Sequence, residues 1–351
     1  MSGTSADGVD ASIIQSDGDV EYKLILDKYF KYSHNIYENI HNLKDEIYDS
    51  KDLKNLSNKI QPLEKEITIF HADVVNKIVK EFKSNIDFVG FHGQTIFHNA
   101  KEKISKQLGD GELLSKLIKK TVVYDFRQND LKNGGHGAPL TPIFHKLLKV
   151  KFKIKDVTFV NIGGIVNVTT ILDDDKISGT DIGPGMCLID KWVRENSKEN
   201  YDENGIVAKS GKVNKIALNQ LLENFRTKEK ISRTGVIQSF DTKYFDFSFV
   251  RDLSFEDGAA TLTEFTAQII ISALKVTERN KEKIILCGGG RKNNFLFEKL
   301  KKEISRIKLI DEYGIDGDFV ESQAFAYLAI RSYLKLPISF PTTTGVDKPC
   351  S

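Results

Sequence analysis

Residues 157–160, VTFV, run without a break into residues 161–169, NIGGIVNVT. A β-rich run, a pair of glycines and a second apolar run read as a strand delivered into a tight turn that leads on into more strand. Near the start of the chain Gly3–Asp10, GTSADGVD, leads into the apolar segment Val9–Ile14 in the same manner. One glycine turn of this kind in each half predicts two related domains. A third glycine loop, Cys287–Asn293 (CGGGRKN), follows the β-rich run Lys283–Cys287 (KIILC) and precedes the helical pattern NNFLFEKLKKEI. Asp87–Phe91 (DFVGF) and Thr121–Tyr124 (TVVY) supply two more short runs, and all of these runs are expected as buried strands.

From Tyr37 to Lys83 apolar residues recur at helical spacing (Ile40, Leu43, Ile47, then Ile67, Ile69, Val74, Val75, Ile78), with a break expected at Pro62. Strands alternating with helices make an α/β fold, and open α/β sheets put their ligand loops just after strands. At about 150 residues per domain, 351 residues predict two domains. Lys plus Arg 51 against Asp plus Glu 49 leaves a net charge of +2, which gives no support to a dedicated nucleic-acid binder. Cys187, Cys287 and Cys350 are isolated, so neither a disulfide framework nor a zinc site is expected, and a reducing, cytoplasmic setting fits. No apolar run approaches the roughly 20 residues of a membrane span. The opening MSGTSADGVD is not a leader, so a soluble, unexported protein is expected.

Backbone N–H groups converge on an anion only where the chain turns tightly and no Cβ intervenes. SGTSADG (residues 2–8) meets that condition, whereas GxxxxGK[ST] and GxGxxG are absent. Asp7 and Asp10 flank this loop and could hold a hydrated Mg²⁺ through oxygen, a turn-forming role being the plainer alternative. Asp181, in GTDIGPG, precedes a turn fixed by Gly and Pro, a placement that can present one carboxylate to a ligand. For His92 a structural role is expected, since no second His or Cys stands at zinc spacing. Lys146–Lys155 (KLLKVKFKIK) alternates at its end like a strand and reads as a solvated strand or helix face.

Taken together, MSGTSADGVD (1–10), GFHGQTIFH (90–98), QLGDGELL (107–114), DFRQNDLKNGGHGAPLTPIFH (125–145), NIGGIVNVT (161–169), GTDIGPGMCLID (179–190), ATLTEFTA (260–267), CGGGRKN (287–293), ESQAFAYLA (321–329) and PTTTGV (341–346) resemble the anhydro-N-acetylmuramic acid kinase family of the sugar kinase, Hsp70 and actin superfamily. The resemblance implies a two-lobed, actin-like ATPase of ribonuclease H-like fold with a central cleft. One lobe would be residues 1–128 plus about 325–351, the other 129–324. The implied reaction opens the 1,6-anhydro bridge of the sugar with water while ATP phosphorylates the freed O6, giving N-acetylmuramic acid 6-phosphate for peptidoglycan recycling. A cytoplasmic homodimer is also implied.

By the same resemblance Asp181 is the base for water. Ser2, Gly3, Thr4, Ser5, Asp7 and Gly8 form one phosphate loop, and Asn161, Gly163 and Gly164 the other. Gly288, Gly289, Gly290 and Asn293 lie on the adenosine side. Thr95, Arg127 and Glu321 contact the sugar. A guanidinium suits the lactyl carboxylate, although Arg127 could equally pair with Asp125 or Asp130, and Glu321 fits a helix N-terminus by charge alone. Alternatives are a kinase of another small molecule, an actin-like or Hsp70-like ATP switch, and a degenerate member that binds no nucleotide. Three departures stand out. Met1 is the Met of the first motif, where members carry a preceding apolar strand, so the loop is expected to fray. Met186 replaces the usual Asn, and Phe240–Ser248 matches no family run.

Overall fold

The computed structural model describes residues 1–174, 176–232, 239–277 and 283–351. The chain divides into two compact units, Met1–Lys153 with Asp318–Ser351, and Ile154–Gly317.

The first unit opens with an antiparallel hairpin, β1 (Gly8–Ser16) and β2 (Tyr22–Lys31). Helices α1 (His34–Glu46), α2 (Asp52–Asn55) and α3 (Ser57–Phe82) follow. Then come β3 (Phe88–Phe91), β4 (Gln94–Asn99), β5 (Ile104–Leu108), α4 (Gly111–Ile118), β6 (Thr121–Tyr124), α5 (Gln128–Lys132) and α6 (Pro142–Lys151). Pro62 does not break the helical stretch. It sits in the second turn of α3, where the carbonyl it leaves without a partner belongs to exposed Asn58 and can turn to water. Of the strand and helix readings of Lys146–Lys155, the helix holds for Lys146–Lys151. Pro142 starts α6, and the spacing of Ile143, Phe144, Leu147 and Leu148 buries one face.

The second unit carries β7 (Val157–Ile162), β8 (Ile165–Ile171), β9 (Ile177–Pro184), α7 (Cys187–Asn196), α8 (Ile206–Ser210), α9 (Lys215–Ser232), α10 (Phe255–Thr277), β10 (Lys283–Cys287), α11 (Asn294–Glu303) and β11 (Ile307–Leu309). The chain then returns to the first unit through α12 (Val320–Tyr333). The five strands lie in the order β9–β8–β7–β10–β11: an antiparallel meander followed by two strands parallel to β7. This is the ribonuclease H-like order. The first unit repeats the same connections in separate ladders, since β1–β2 is antiparallel, as β8–β9 is, and β3–β6 is parallel, as β10–β11 is.

β7 and β10 are buried almost throughout, as their unbroken apolar runs predict. β3 and β6 are only partly covered, because each belongs to a ladder of just two strands. The unit boundaries fall at 153/154 and 317/318, not at 128/129 and about 324/325. Residues 129–151 stay with the first unit because His136 N–H bonds to Thr344 O, Asp130 accepts from the Thr344 hydroxyl, and Phe144 packs on Tyr22 and Tyr327. At the other end the Ser12 and Ser322 hydroxyls bond, and Gln323 donates to Asp27 and accepts from Tyr22, which ties the start of α12 to β1 and β2. Met1 exchanges two hydrogen bonds with Asp10, and Ser2 is 2% exposed, so the first loop is anchored rather than frayed.

All seven histidines lie in the first unit. Burial pushes His71, His98 and His145 down to about 3 and His92 well below its usual range. With folded values depressed, the unfolded chain binds more protons below about pH 6.5. Stability is therefore lost as pH falls, by up to about 1.4 kcal/mol per pH unit for each such group. Asp10, raised to about 7 by burial, and Asp125, also raised by burial, work in the opposite sense, but they are two groups against four. Hydrogen-exchange protection should therefore decline in the first unit between pH 7 and pH 5 while the β7–β8–β9 core stays protected. Equal decline in both units would contradict this.

Candidate active site

The C-terminal end of β7 gathers three of the glycine-bearing segments within the second unit. Gly163 and Gly164 make the two-residue turn into β8. The segment after β9 is bonded directly to that turn: Gly185 N–H donates to Gly164 O at 2.9 Å, Met186 N–H to Gly163 O at 2.9 Å, and Cys187 N–H to Gly164 O at 3.2 Å. A Cβ on Gly185 would lie 2.2 Å from Gly163 O, so only glycine permits this approach. On the other side, the loop after β10 presses on β7. Gly288 has φ +80°, and a Cβ there would meet Asn161 Oδ1 at 2.4 Å. Gly290 packs on Ile162. Gly289, by contrast, is exposed and faces open space, leaving its backbone reachable by a ligand.

Arg291 fixes that loop. Its guanidinium, 3% exposed, makes two bonds to Asp311 at 2.7 and 2.8 Å, one to Asp316 at 3.0 Å and one to Gly288 O at 3.1 Å. The bond from Arg291 holds the Asp311 carboxyl below the usual carboxylate range. Asn293 is committed to structure through Oδ1, which caps α11 by accepting from Leu296 N–H at 2.9 Å, while its Nδ2 is buried without a partner.

Asp181 lies within β9 rather than in the turn that follows. It is 8% exposed, and Oδ2 accepts from Phe240 N–H at 3.0 Å. The run Phe240–Ser248, which matched no family motif, therefore begins on the candidate base. Met186 packs among the apolar side chains around α7 and α10.

The first unit assembles the remaining predicted residues. Gly3, Thr4 and Ser5 form an outer turn closed by Ala6 N–H to Gly3 O at 3.1 Å, with Thr4 and Ser5 exposed. Ser2 and Gly8 are instead covered. The Ser2 hydroxyl lies 2.8 Å from Gly8 O and 2.5 Å from Gln94 Oε1, and a Cβ on Gly8 would strike Phe30 O. Both hold the turn rather than face a ligand. Gln94 Nε2 donates to Gly3 O at 3.1 Å, which joins HGQT to the first loop. Asp7 accepts the Ser5 hydroxyl. The carboxyl of Asp10 is pushed up to about 7 by burial, with Asp7, Glu321 and Asp318 adding like charge against the opposing Met1 amine.

Thr95 Oγ1 accepts from Gln107 on the neighbouring strand. Arg127 donates to His92 Nε2 from Nε and Nη2, at 3.2 and 3.0 Å, and to Gly137 O at 2.7 Å. His92 Nδ1 faces Gly93 O at 3.0 Å, so the ring is the neutral Nδ1–H tautomer, with burial and the adjacent guanidinium both opposing its protonation. Sequence alone assigned His92 only a structural role. Its contact with Arg127 arises because the loop after β3 and the residues after β6 end side by side on parallel strands.

The anhydro-N-acetylmuramic acid kinase family model matches residues 1–351. This chain belongs to that family. The anhydro-N-acetylmuramic acid kinase of Pelagibacter ubique is 53% identical over 359 residues, covering 99% of this chain and 95% of the relative. The protein of the same name from Brucella canis is 35% identical over 364 residues, covering 100% and 95%. Among solved structures, the activator of 2-hydroxyisocaproyl-CoA dehydratase from Clostridium difficile with bound ADPNP aligns with 92% of this chain and 95% of its own. Its identity is 11% and its TM-score 0.44, too distant to add to the strand-order comparison.

The two neighbouring glycines of the third loop should separate structural from ligand-facing roles. Gly288→Ala meets both a positive φ and backbone contacts, and should cost about 1–3 kcal/mol in urea unfolding. Gly289→Ala, with nothing within 4 Å of its added Cβ, should unfold like the parent. Equal stability of the two variants would show that the loop does not approach β7 this closely.

Proposed function

We propose that the chain is an ATP-dependent kinase that opens the 1,6-anhydro bridge of anhydro-N-acetylmuramic acid with water and phosphorylates the freed O6. The observation that carries this reading is the position of Asp181, a buried carboxylate on the strand that leads into the turn bonded to Gly163 and Gly164. Full-length membership of the kinase family supports the substrate. Asp181 would take a proton from the attacking water. In the second unit the backbone N–H groups near Gly163, Gly164 and Gly289 would bind phosphate oxygens, and the first unit, taken by itself, offers those of the turn Gly3, Thr4 and Ser5. Phosphoryl transfer asks little more of a protein than alignment and charge neutralisation.

Arg127, its guanidinium oriented by His92 and Gly137, suits the lactyl carboxylate, while Thr95 and Glu321 would complete the sugar contacts. The donor set fits Mg²⁺ at Asp10, whose buried carboxyl among other acids would be relieved by a cation. Asp7, bonded to Ser5, is the weaker ligand. Among the described residues no group of three or more His, Cys, Asp or Glu could hold a metal, but Mg²⁺ needs only one or two carboxylates beside phosphate and water. Mg²⁺ supplies charge neutralisation on the transferred group. We extend the proposal to a cytoplasmic homodimer with no nucleic-acid partner, on the family resemblance and the balanced charge.

Coupled assay of ADP release should show turnover only when 1,6-anhydro-N-acetylmuramic acid is present. Asp181→Asn should abolish that turnover and leave nucleotide affinity intact. ATP hydrolysis indifferent to the sugar would favour a switch or a kinase of another substrate, and no hydrolysis would favour a degenerate member.

A further inference from the structure

One face of the five-stranded sheet is apolar. Val160, Ile162, Val166 and Val168 pack there against Ala267, Ile270 and Leu274 of α10. Residues alternating with these point to the other face, and on it three polar side chains form a single row. Asn161 of β7 stands directly opposite Asn167 of β8, and Asn167 directly opposite Asp181 of β9. Directly opposed residues on antiparallel strands have Cβ atoms about 4.5–5.5 Å apart, so the Asn167 amide and the Asp181 carboxylate are immediate neighbours.

Two features mark this row as more than packing. Asn167 Oδ1 is buried and has no hydrogen-bond partner. A buried acceptor left unpaired is costly, and natural folds retain one mainly where a ligand or water completes it. The β8–β9 register also shifts between Val166 and Asn167, so Ile182, the residue after Asp181, is an extra residue in the ladder. Such bulges re-aim the side chains beside them.

We propose that Asn167 is a catalytic residue: Oδ1 accepts one hydrogen of the attacking water while Asp181 accepts the other. This rests on the reading of Asp181 as the base. With both hydrogens held, a lone pair of the water oxygen is directed at the anomeric carbon. The oxygen bonds to that carbon as its bond to O6 breaks. O6 takes the γ-phosphoryl group and ADP departs. The proton on Asp181 passes to solvent, and the hydrogen held by Asn167 stays on the new anomeric hydroxyl. Asn167 itself is unchanged.

The test uses the full chain with Asn167→Ala, Asn167→Asp and Asp181→Asn. Asn167→Ala should lower kcat about 100-fold, the scale of losing one positioned polar group, with sugar KM and ATP affinity within about twofold of the parent. Asn167→Asp is nearly isosteric and sets a second carboxylate against Asp181. It should move the acid limb of the kcat–pH profile up by about one unit or more, a shift that an Asn remote from the base would not produce. If Asn167→Ala fails to fold, the profile of Asn167→Asp decides alone. A kcat within about threefold of the parent, or an unmoved acid limb, overturns the proposal. Asp181→Asn separates the two levels. If it is inert, the base reading stands and the Asn167 variants judge this inference alone; if it turns over like the parent, both fall.

Discussion

Everything at the candidate site of the second unit depends on how closely other backbone can approach the end of β7. The carbonyls of Ile162, Gly163 and Gly164 are met from one side by the turn after β9 and from the other by the loop after β10. Neither approach tolerates a Cβ: Gly185, Gly288 and Gly290 all sit at separations that a methyl group would occupy. Glycine here is a steric requirement, met at the entropic cost glycine always carries in the unfolded chain. The result is three loops held at one strand end, where an open α/β sheet offers its ligand crevice.

Ion pairing then fixes what close approach permits. Arg291 has its charge removed from water and is matched by Asp311 and Asp316, both partly exposed. Burying such a charge earns little net stability, but breaking the pair would leave a guanidinium stranded. Its contribution is geometry, because it holds Gly288 O and spans the chain from Gly288 to Gly317. In the first unit a neutral histidine plays the comparable part for Arg127, accepting from a guanidinium without cancelling its charge.

Much of this was legible in the sequence. VTFV and KIILC became β7 and β10 because unbroken apolar runs leave a strand nowhere to go but a buried position. The glycine loops fell at strand ends as expected, and the duplicated turn corresponds to a duplicated set of strand connections. What escaped depended on register or on distant partners. The row Asn161–Asn167–Asp181 spans three strands, and no sequence spacing reveals which residues stand opposite one another. Lys146–Lys155 left strand and helix both open because its lysines alternate only at the end, and the helix over Lys146–Lys151 is set by Ile143, Phe144, Leu147 and Leu148. Pro62 looked like a break because the accommodating carbonyl of Asn58 could not be known to be exposed. The unit boundary moved from 128/129 to 153/154 because Asp130 and His136 bond to Thr344, more than two hundred residues away.

The central claim is that the turns around the end of β7 form a phosphate cradle, and titrating the ¹⁵N-labelled protein with ADP while following backbone amide resonances tests it most directly. The amides of Gly163, Gly164 and Gly289 should shift together and saturate at one affinity. Saturable ADP binding that leaves all three unmoved would contradict the account.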